Sequence, residues 1–424
     1  MNHFEARDGE LHCEDVPLRR IAEAVGTPAY VYSTATLTRH YRVFLEAFAP
    51  LNAKVAYAVK ANSNLSVLAT LARLGAGADT VSEGEILRAL KAGVPPGRVI
   101  FSGAGKTRAE MQFALGAGVG QINVESEPEL DLLAEVAAAA GVRPDIAIRV
   151  NPDVGAGGHA KITTGKAESK FGVSLGEAER LYAKAAANAW LNPVGLACHI
   201  GSQISDLEPL RAAYATLRSL VERLRNAGLS VGRLDLGGGL GVPYFNQPAP
   251  PTPDELGAVA RKVFLGLADI ELTVEPGRAI AANAGVLLSR VIHVHARPEG
   301  RRFLVLDAAM NDLIRPAMYD AYHEIQPVVT PAADARRLTY DVVGPICETG
   351  DTFTRDRPLP ALAPDDLVVF LSAGAYGAVM SSEYNTRPLV PEVLVNGADF
   401  AVVRPRPTYE EMLAREPMAP WLAP

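Results

Sequence analysis

From Lys54 onward the chain repeats one pattern, a short apolar run followed by an Ala/Leu-rich stretch of helical period. The apolar runs are Val55–Lys60, Ala78–Ser82, Arg98–Ser102, Gly120–Val124, Asp145–Val150, Val194–Ile200, Arg233–Leu236 and Ile270–Glu275. Helical patterns between them include Glu83–Ala92, Arg108–Gly116, Glu127–Ala140, Leu175–Ala187 and Pro209–Ala227. Continuous apolar runs bounded by turn residues suit parallel strands covered on both faces. Alternation of such strands with helices predicts a parallel sheet. A doubly wound open sheet is the alternative, but eight units over about 225 residues fit a closed (β/α)8 barrel of TIM type better.

The flanks read differently. Before the barrel, Leu18–Val25 and Thr34–Phe48 have helical periodicity, and Pro28–Tyr32 has the aromatic and β-branched content of a strand. After Glu275, Val286–His295, Arg302–Leu306, Leu338–Val343, Asp366–Leu371 and Phe400–Arg404 read as strands without long helices between them, punctuated by proline. That predicts an antiparallel β domain of about 130–150 residues. A formal net charge of -7 argues against a nucleic-acid binder. Three cysteines, far apart, offer neither a disulfide framework nor paired metal-ligand spacing. The N-terminus has no signal-peptide core, and the uncharged stretch Ala185–Ser205 is interrupted by Asn188, Asn192, Pro193, His199 and Gln203, so no membrane span is predicted. A soluble, cytoplasmic protein is expected.

A barrel of this kind collects its catalytic residues at the carboxyl ends of its strands. The first run, Val55-Ala-Tyr-Ala-Val-Lys60, ends on a lysine. Lysine in an apolar strand is costly unless its charge is paired or its amine is used chemically; snorkelling to solvent is the competing reading. Asp79 lies in the second run, His199 ends the sixth, Gly237-Gly238-Gly239 follows the seventh and Glu275 ends the eighth. The loop after strand seven is a common phosphate site, where glycines let backbone amides approach; plain turn chemistry is the other reading of such a run. Glu275-Pro276-Gly277-Arg278 adds an arginine close to the carboxylate. Lysine, phosphate loop and carboxylate on one face fit pyridoxal 5′-phosphate, with the lysine as covalent anchor and the carboxylate keeping the ring nitrogen protonated. A protonated ring is a strong electron sink, which suits decarboxylation.

Ser102-Gly-Ala-Gly-Lys106-Thr107 imitates a nucleotide-binding loop, but Ile100 stands where that motif needs its first glycine, so no nucleotide site is predicted. His199, just ahead of Gly201-Ser202-Gln203, is a candidate to stack on a cofactor ring, against the alternative of a core histidine. Cys13 and Cys198 fit inert buried thiols. Cys347 sits in a polar loop, Gly344–Asp351, beside Glu348, and is a candidate proton donor. The loop Pro152–Phe171 has the length of a functional lid.

Nine runs, spread over nearly the whole chain, carry a family resemblance. They are Tyr57-Ala-Val-Lys60-Ala-Asn, Glu168-Ser-Lys-Phe-Gly172, His199-Ile-Gly-Ser-Gln203, Leu236-Gly-Gly-Gly-Leu-Gly241, Glu275-Pro-Gly-Arg278, Met310-Asn-Asp-Leu-Ile-Arg-Pro-Ala-Met-Tyr319, Cys347-Glu-Thr-Gly-Asp351, Gly374-Ala-Tyr-Gly377 and Ser382-Glu-Tyr-Asn385. Together they resemble the bacterial diaminopimelate decarboxylases, of the alanine-racemase-like fold group of pyridoxal-phosphate enzymes. Lys60, His199, the glycine loop and Glu275 are shared with ornithine and arginine decarboxylases; the Arg315–Tyr319 and Cys347–Asp351 runs point to diaminopimelate.

The resemblance implies decarboxylation of meso-2,6-diaminopimelate to L-lysine and CO2, the last step of lysine biosynthesis. It implies that Lys60, Asp79, His199, Ser202 and Glu275 hold the cofactor, with Gly237, Gly238, Gly239, Gly277, Arg278 and Tyr376 around its phosphate. Arg278, Arg315, Tyr319 and Tyr376 would bind substrate, Glu348 would read its far ammonium, and Cys347 would return a proton. Cys347 and Glu348 would enter from a partner subunit, implying a homodimer. The N-terminal segment would join the C-terminal domain, giving a barrel of 34–277 and a β-rich domain of 1–33 plus 278–424. Thr349 stands where serine is common in the family, and the Gly155–Lys166 lid has its own sequence. A related decarboxylase acting on ornithine, arginine or carboxynorspermidine is the alternative enzyme. A catalytically silent cofactor-binding paralogue would be expected to lack Lys60 or Cys347, and both are present.

Overall fold

A computed structural model of the chain describes residues 2–155, 165 and 170–422. It forms two compact units, Leu37–Ala282 and Met1–Thr36 with Asn283–Pro424.

In the first unit eight parallel strands close into a barrel: Lys54–Ala58, Gly77–Thr80, Val99–Phe101, Gln121–Val124, Asp145–Arg149, Asn192–Ala197, Arg233–Asp235 and Glu271–Val274. Each lies beside the next in sequence, and the eighth pairs with the first. The helices between them begin where short polar side chains cap them. Asn64, Ser82, Ser126, Ser174 and Asp206 each accept a first-turn amide, and Thr107 and Thr252 form capping boxes with Glu110 and Glu255. Two barrel helices, Leu65–Arg73 and Pro253–Val263, go beyond the patterns singled out above. The second is disguised by its proline-rich approach, although proline is well suited to a first helical turn.

Strands one, six and eight stop at Ala58, Ala197 and Val274, slightly earlier than the apolar runs suggest. Lys60 therefore sits on the single 3-10 turn Val59–Ala61, and His199 and Glu275 lie just beyond their strands. All three are on the rim. Lys106, in the nucleotide-loop lookalike, is a buried structural lysine. Its Nζ lies 2.7 Å from Glu129 Oε1 and donates to the carbonyls of Gly103 at 2.7 Å and Asn123 at 2.6 Å.

The second unit is built on one large sheet. Its strands run in the order Thr352–Pro360, Arg337–Val343, Arg302–Leu306, Gly285–Ala296, Ala29–Ser33, Glu392–Asn396, Asp399–Arg404, with Leu367–Phe370 branching from Gly285–Ala296 and Ile325–Pro327 pairing in turn with Leu367–Phe370. Pairing is mainly antiparallel, as the composition suggests. Two pairs are parallel, Arg302–Leu306 with Arg337–Val343 and Ala29–Ser33 with Glu392–Asn396. Ala29–Ser33 is buried throughout and lies between Gly285–Ala296 and Glu392–Asn396, packing Val31 against Val286, Leu288 and Val393. Thr352–Pro360 escapes a sequence reading because Pro358 and Pro360 disfavour a strand, yet proline is tolerated at a sheet edge, where this strand runs.

Candidate active site

At the carboxyl end of the barrel a cavity of about 280 Å³ is lined by Lys60, Asp79, Asn123, Arg149, His199, Asp235 and Glu275, among others. Parallel register places Ala58 opposite Asp79, and Lys60, two residues on, turns its Nζ to 2.5 Å from Asp79 Oδ2. Asp79 is fully buried, and its Oδ1 has no hydrogen-bond partner among the described residues. The lysine thus points inward to a charge partner, with 36% of its side chain still exposed. The snorkelling reading does not hold.

His199 is half-buried, and its Nδ1 accepts the Gly238 N–H at 3.2 Å, which leaves Nδ1 without a proton. Burial, with Arg149 and Lys60 nearby, holds its pKa well below the usual range. The ring is neutral. The three glycines after strand seven are demanded by crowding. A Cβ on Gly237, Gly238 or Gly239 would stand 2.3 Å from Cys198 O, 2.2 Å from Glu275 O or 2.4 Å from Gly201 O. Two of their amides are already engaged, Gly237 N–H to Asp235 Oδ1 and Gly238 N–H to His199. Beside this loop Arg278 is buried, donating from Nη1 to Tyr244 Oη at 2.9 Å and from Nε and Nη2 to Ser202 Oγ at 3.2 and 3.0 Å. A Cβ on Gly277 would press on Ala58 and Ala61.

Glu275 and Asp235 face each other in the cavity wall. Burial pushes the pKa of both up, that of Glu275 far above the usual carboxyl range. Glu275 Oε1 is a buried acceptor with no partner among the described residues. Burying a polar atom without a partner is unfavourable, and Glu275 lines the cavity, where a bound group can supply its carboxyl with a donor. A pyridoxal phosphate fits these residues. An acid awaits its ring nitrogen, a flat neutral imidazole stands near, an ammonium is in reach, and a guanidinium with two hydroxyls suits a phosphate.

Sequence reasoning missed Asn123, Arg149 and Tyr244 and assigned Asp235 no role. Arg149 pairs with buried Glu125 at 2.8 Å and lies 5.0 Å from the centre of the Phe171 ring. Asn123 and Arg149 each interrupt an apolar strand, the same signal that singled out Lys60. Nothing in the sequence distinguishes Tyr244.

The remaining candidates belong to the other unit. Arg315 is buried, with Nη1 2.8 Å from His323 Nε2, and His323 Nδ1 faces Leu371 O at 2.9 Å. Tyr319 ends the short helix Arg315–Tyr319. Glu348 lies near the Tyr384 hydroxyl and pushes its pKa up, while Cys347, an exposed residue, donates its N–H to Asn385 Oδ1 at 3.0 Å. Asp351 accepts the amides of Met310 and Ile346, each at 2.7 Å, and the Asn311 side chain donates to Ser382 O. Three motifs separated in sequence are thereby tied together. Tyr376 is half-buried in a left-handed backbone conformation. Glu168, Ser169 and most of the Gly155–Lys166 lid lie outside the described residues.

A family model for the pyridoxal binding domain of pyridoxal-dependent decarboxylases matches residues 34–282. The chain is 48% identical over 423 residues to the diaminopimelate decarboxylase of Zymomonas mobilis, covering 99% of each. It is 51% identical to that of Pseudomonas aeruginosa over 99% of this chain and 100% of the other. Among solved structures, diaminopimelate decarboxylase from M. jannaschii in complex with L-lysine has a TM-score of 0.94 at 34% identity, covering 100% of this chain and 99% of that one. The Helicobacter pylori enzyme, also complexed with L-lysine, has a TM-score of 0.89 at 38% identity, covering 94% of this chain and 98% of its own. The chain belongs to the pyridoxal-dependent decarboxylases and, among them, to the diaminopimelate decarboxylase family.

Proposed function

We propose that this chain decarboxylates meso-2,6-diaminopimelate at its D-configured carbon, giving L-lysine and CO2, with pyridoxal 5′-phosphate as cofactor. One observation carries the reading. A lysine ammonium 2.5 Å from a buried carboxylate shares a cavity with a second buried acid whose Oε1 has no partner among the described residues. When bound, the cofactor supplies the electron sink that lets a carboxyl group leave as CO2.

Lys60 would hold that group through Nζ, and Asp79 keeps the amine charged and oriented whenever it is released. Glu275 would meet the ring nitrogen through its carboxyl group. His199 would lie against the ring, and being neutral it adds no competing charge. Ser202, Gly237, Gly238, Gly239, Gly277, Arg278 and Tyr376 would surround the phosphate. Arg278, Arg315 and Tyr319 would bind the far carboxylate, for which a guanidinium fork is well shaped, with Tyr376 also binding substrate. Glu348 would take the far ammonium. Cys347 would deliver a proton from Sγ to the carbon that lost CO2. In this reading Cys347 and Glu348 enter from the partner subunit of a homodimer working in the cytoplasm. Among the described residues no helix is long and apolar enough to cross a membrane.

The test is product analysis of purified protein with pyridoxal phosphate, offered meso-diaminopimelate, ornithine, arginine and carboxynorspermidine separately. Lysine and CO2 from the first alone are expected, because polar groups left unpaired can reject an analogue by about 10⁴-fold. Turnover of ornithine would overturn the far-end assignments, and no turnover of any would point to a silent cofactor-binding protein. Cys347→Ala should lose about 10²–10⁴-fold in rate yet keep its cofactor. Full turnover would remove the thiol from the proton path.

A further inference from the structure

Arg315 and His323 stand at the two ends of one tight connection. Arg315 opens the short helix Arg315–Tyr319, where Pro316 suits the first turn, and Asp320 ends it in the left-handed conformation at φ 51°. The chain then reaches the strand Ile325–Pro327. Its pairing with Leu367–Phe370 is extended by Leu371 N–H, which donates to Glu324 O at 2.8 Å. His323 is thereby hung from the edge of a sheet. Its carbonyl accepts from Arg357 Nη2 at 2.7 Å, and the Arg357 guanidinium lies 4.3 Å from the centre of the Tyr322 ring. Two buried side chains, 6% and 5% exposed, meet on this frame, with Arg315 Nη1 2.8 Å from His323 Nε2.

These contacts fix where the imidazole proton lies. Leu371 O can only accept, so Nδ1, 2.9 Å away, carries the hydrogen. A guanidinium has donors and no acceptor, so Nε2 is unprotonated and accepts from Arg315. An imidazolium would set one N–H against another. His323 is therefore neutral, with its single ring lone pair aimed at the arginine. We infer that His323 is a positioning residue for substrate recognition, holding Arg315 by Nη1 so that the other donors of the fork keep one orientation for the substrate's far carboxylate. The inference rests on the reading of Arg315 as that carboxylate's partner. The choice of imidazole follows from the task. An aspartate or glutamate in this place would also hold the guanidinium, but would cancel its charge and compete with the substrate for its donors. A neutral acceptor fixes the guanidinium and leaves its charge in place.

Inhibition of the pyridoxal-phosphate-loaded enzyme by L-lysine and by 1,5-diaminopentane tests this, since the first keeps the far carboxylate and the second lacks it. His323→Gln retains an acceptor that reaches about as far as Nε2. His323→Asn reaches only as far as Nδ1, so it can keep Leu371 but loses Arg315. The asparagine variant should weaken L-lysine by roughly 10-fold or more, the size of one hydrogen bond to a charged group, and leave 1,5-diaminopentane unchanged. Its KM for meso-diaminopimelate should rise more than its kcat falls, and the glutamine variant should restore both KM and L-lysine inhibition. L-lysine inhibition as in wild type in His323→Asn overturns the inference, as does equal weakening toward both inhibitors or in both variants alike. Arg315→Leu separates the two levels. It should weaken L-lysine at least as much as His323→Asn does. If it has no effect, the far-end reading falls and the inference with it; if it weakens L-lysine while His323→Asn does not, the inference alone falls. Should neither histidine variant fold, nitrogen NMR of wild type carrying labelled histidine decides. A His323 proton on Nδ1 alone supports the inference, and one on Nε2 overturns it.

Discussion

The eight barrel strands end in two cavities of similar size, about 280 Å³ at the carboxyl mouth and about 320 Å³ at the amino mouth. Charges line both. At the amino mouth they sit near the surface and satisfy one another. Lys54 pairs with Glu271 at 2.6 Å, Arg233 with Asp145 at 2.9 Å, and Arg98 donates to Gly75 O at 2.7 Å. At the carboxyl mouth Asp79, Asp235 and Glu275 are buried, and oxygens of Asp79 and Glu275 lack partners among the described residues. The number of charges does not separate the two ends. Burial with incomplete partnering does, and that is the physical mark of a site prepared for a ligand.

Lys60→Ala offers the hardest test of this contrast. It should reduce lysine formation by roughly 10³-fold or more and abolish borohydride fixation of cofactor to the chain, read by mass. Activity near wild type would erase the distinction between the mouths. Lys106, buried but fully partnered, tests stability instead. Lys106→Ala strands Glu129 without its partner and should cost about 3–5 kcal/mol in urea unfolding. A loss under about 1 kcal/mol would show that full partnering is not what holds buried charge here.

A pH dependence sharpens the comparison further. The Glu85 carboxyl, near Asp79 and Lys60, is pushed by burial from 4.5 to about 7. The folded chain binds this proton more tightly than the unfolded one. Its contribution to stability is therefore complete below about 4.5 and lost as pH rises through about 7. Melting temperature in Glu85→Gln should fall less across that window than in wild type; an equal fall removes Glu85 from the account. The smallest effect belongs to the amino mouth. Lys54→Ala breaks an exposed pair and should change stability by at most about 1 kcal/mol, with lysine formation unchanged. A large loss of activity there would make the two mouths alike.

The barrel was legible because each strand is covered on both faces and reads as an unbroken apolar run. Lys60, His199 and Glu275 stood out as polar residues at the ends of such runs. By the same logic Asn123 and Arg149 were visible too, but residues inside a run draw less attention than residues that end one. That Asp235 and Glu275 line one cavity could not be read, since it depends on the register of two strands well apart in sequence. The large sheet was harder for a related reason: Ala29–Ser33 finds its parallel neighbour Glu392–Asn396 at the opposite end of the chain. Arg315, Tyr319 and Glu348 entered by resemblance; no periodicity or spacing singles them out.

The glycine loop after strand seven carries a lesson for redesign. Its three positions leave no room for even a methyl group, because each would strike a backbone carbonyl on a neighbouring segment. Those segments carry His199 and Glu275, so an alanine there would move the imidazole or the acid along with the loop. Libraries aimed at new amino-acid substrates should hold Gly237, Gly238 and Gly239 constant. On the proposed roles of Arg315, Tyr319 and Glu348, diversity is better placed around those three, where changing what is recognised need not disturb the apparatus that removes the carboxyl group.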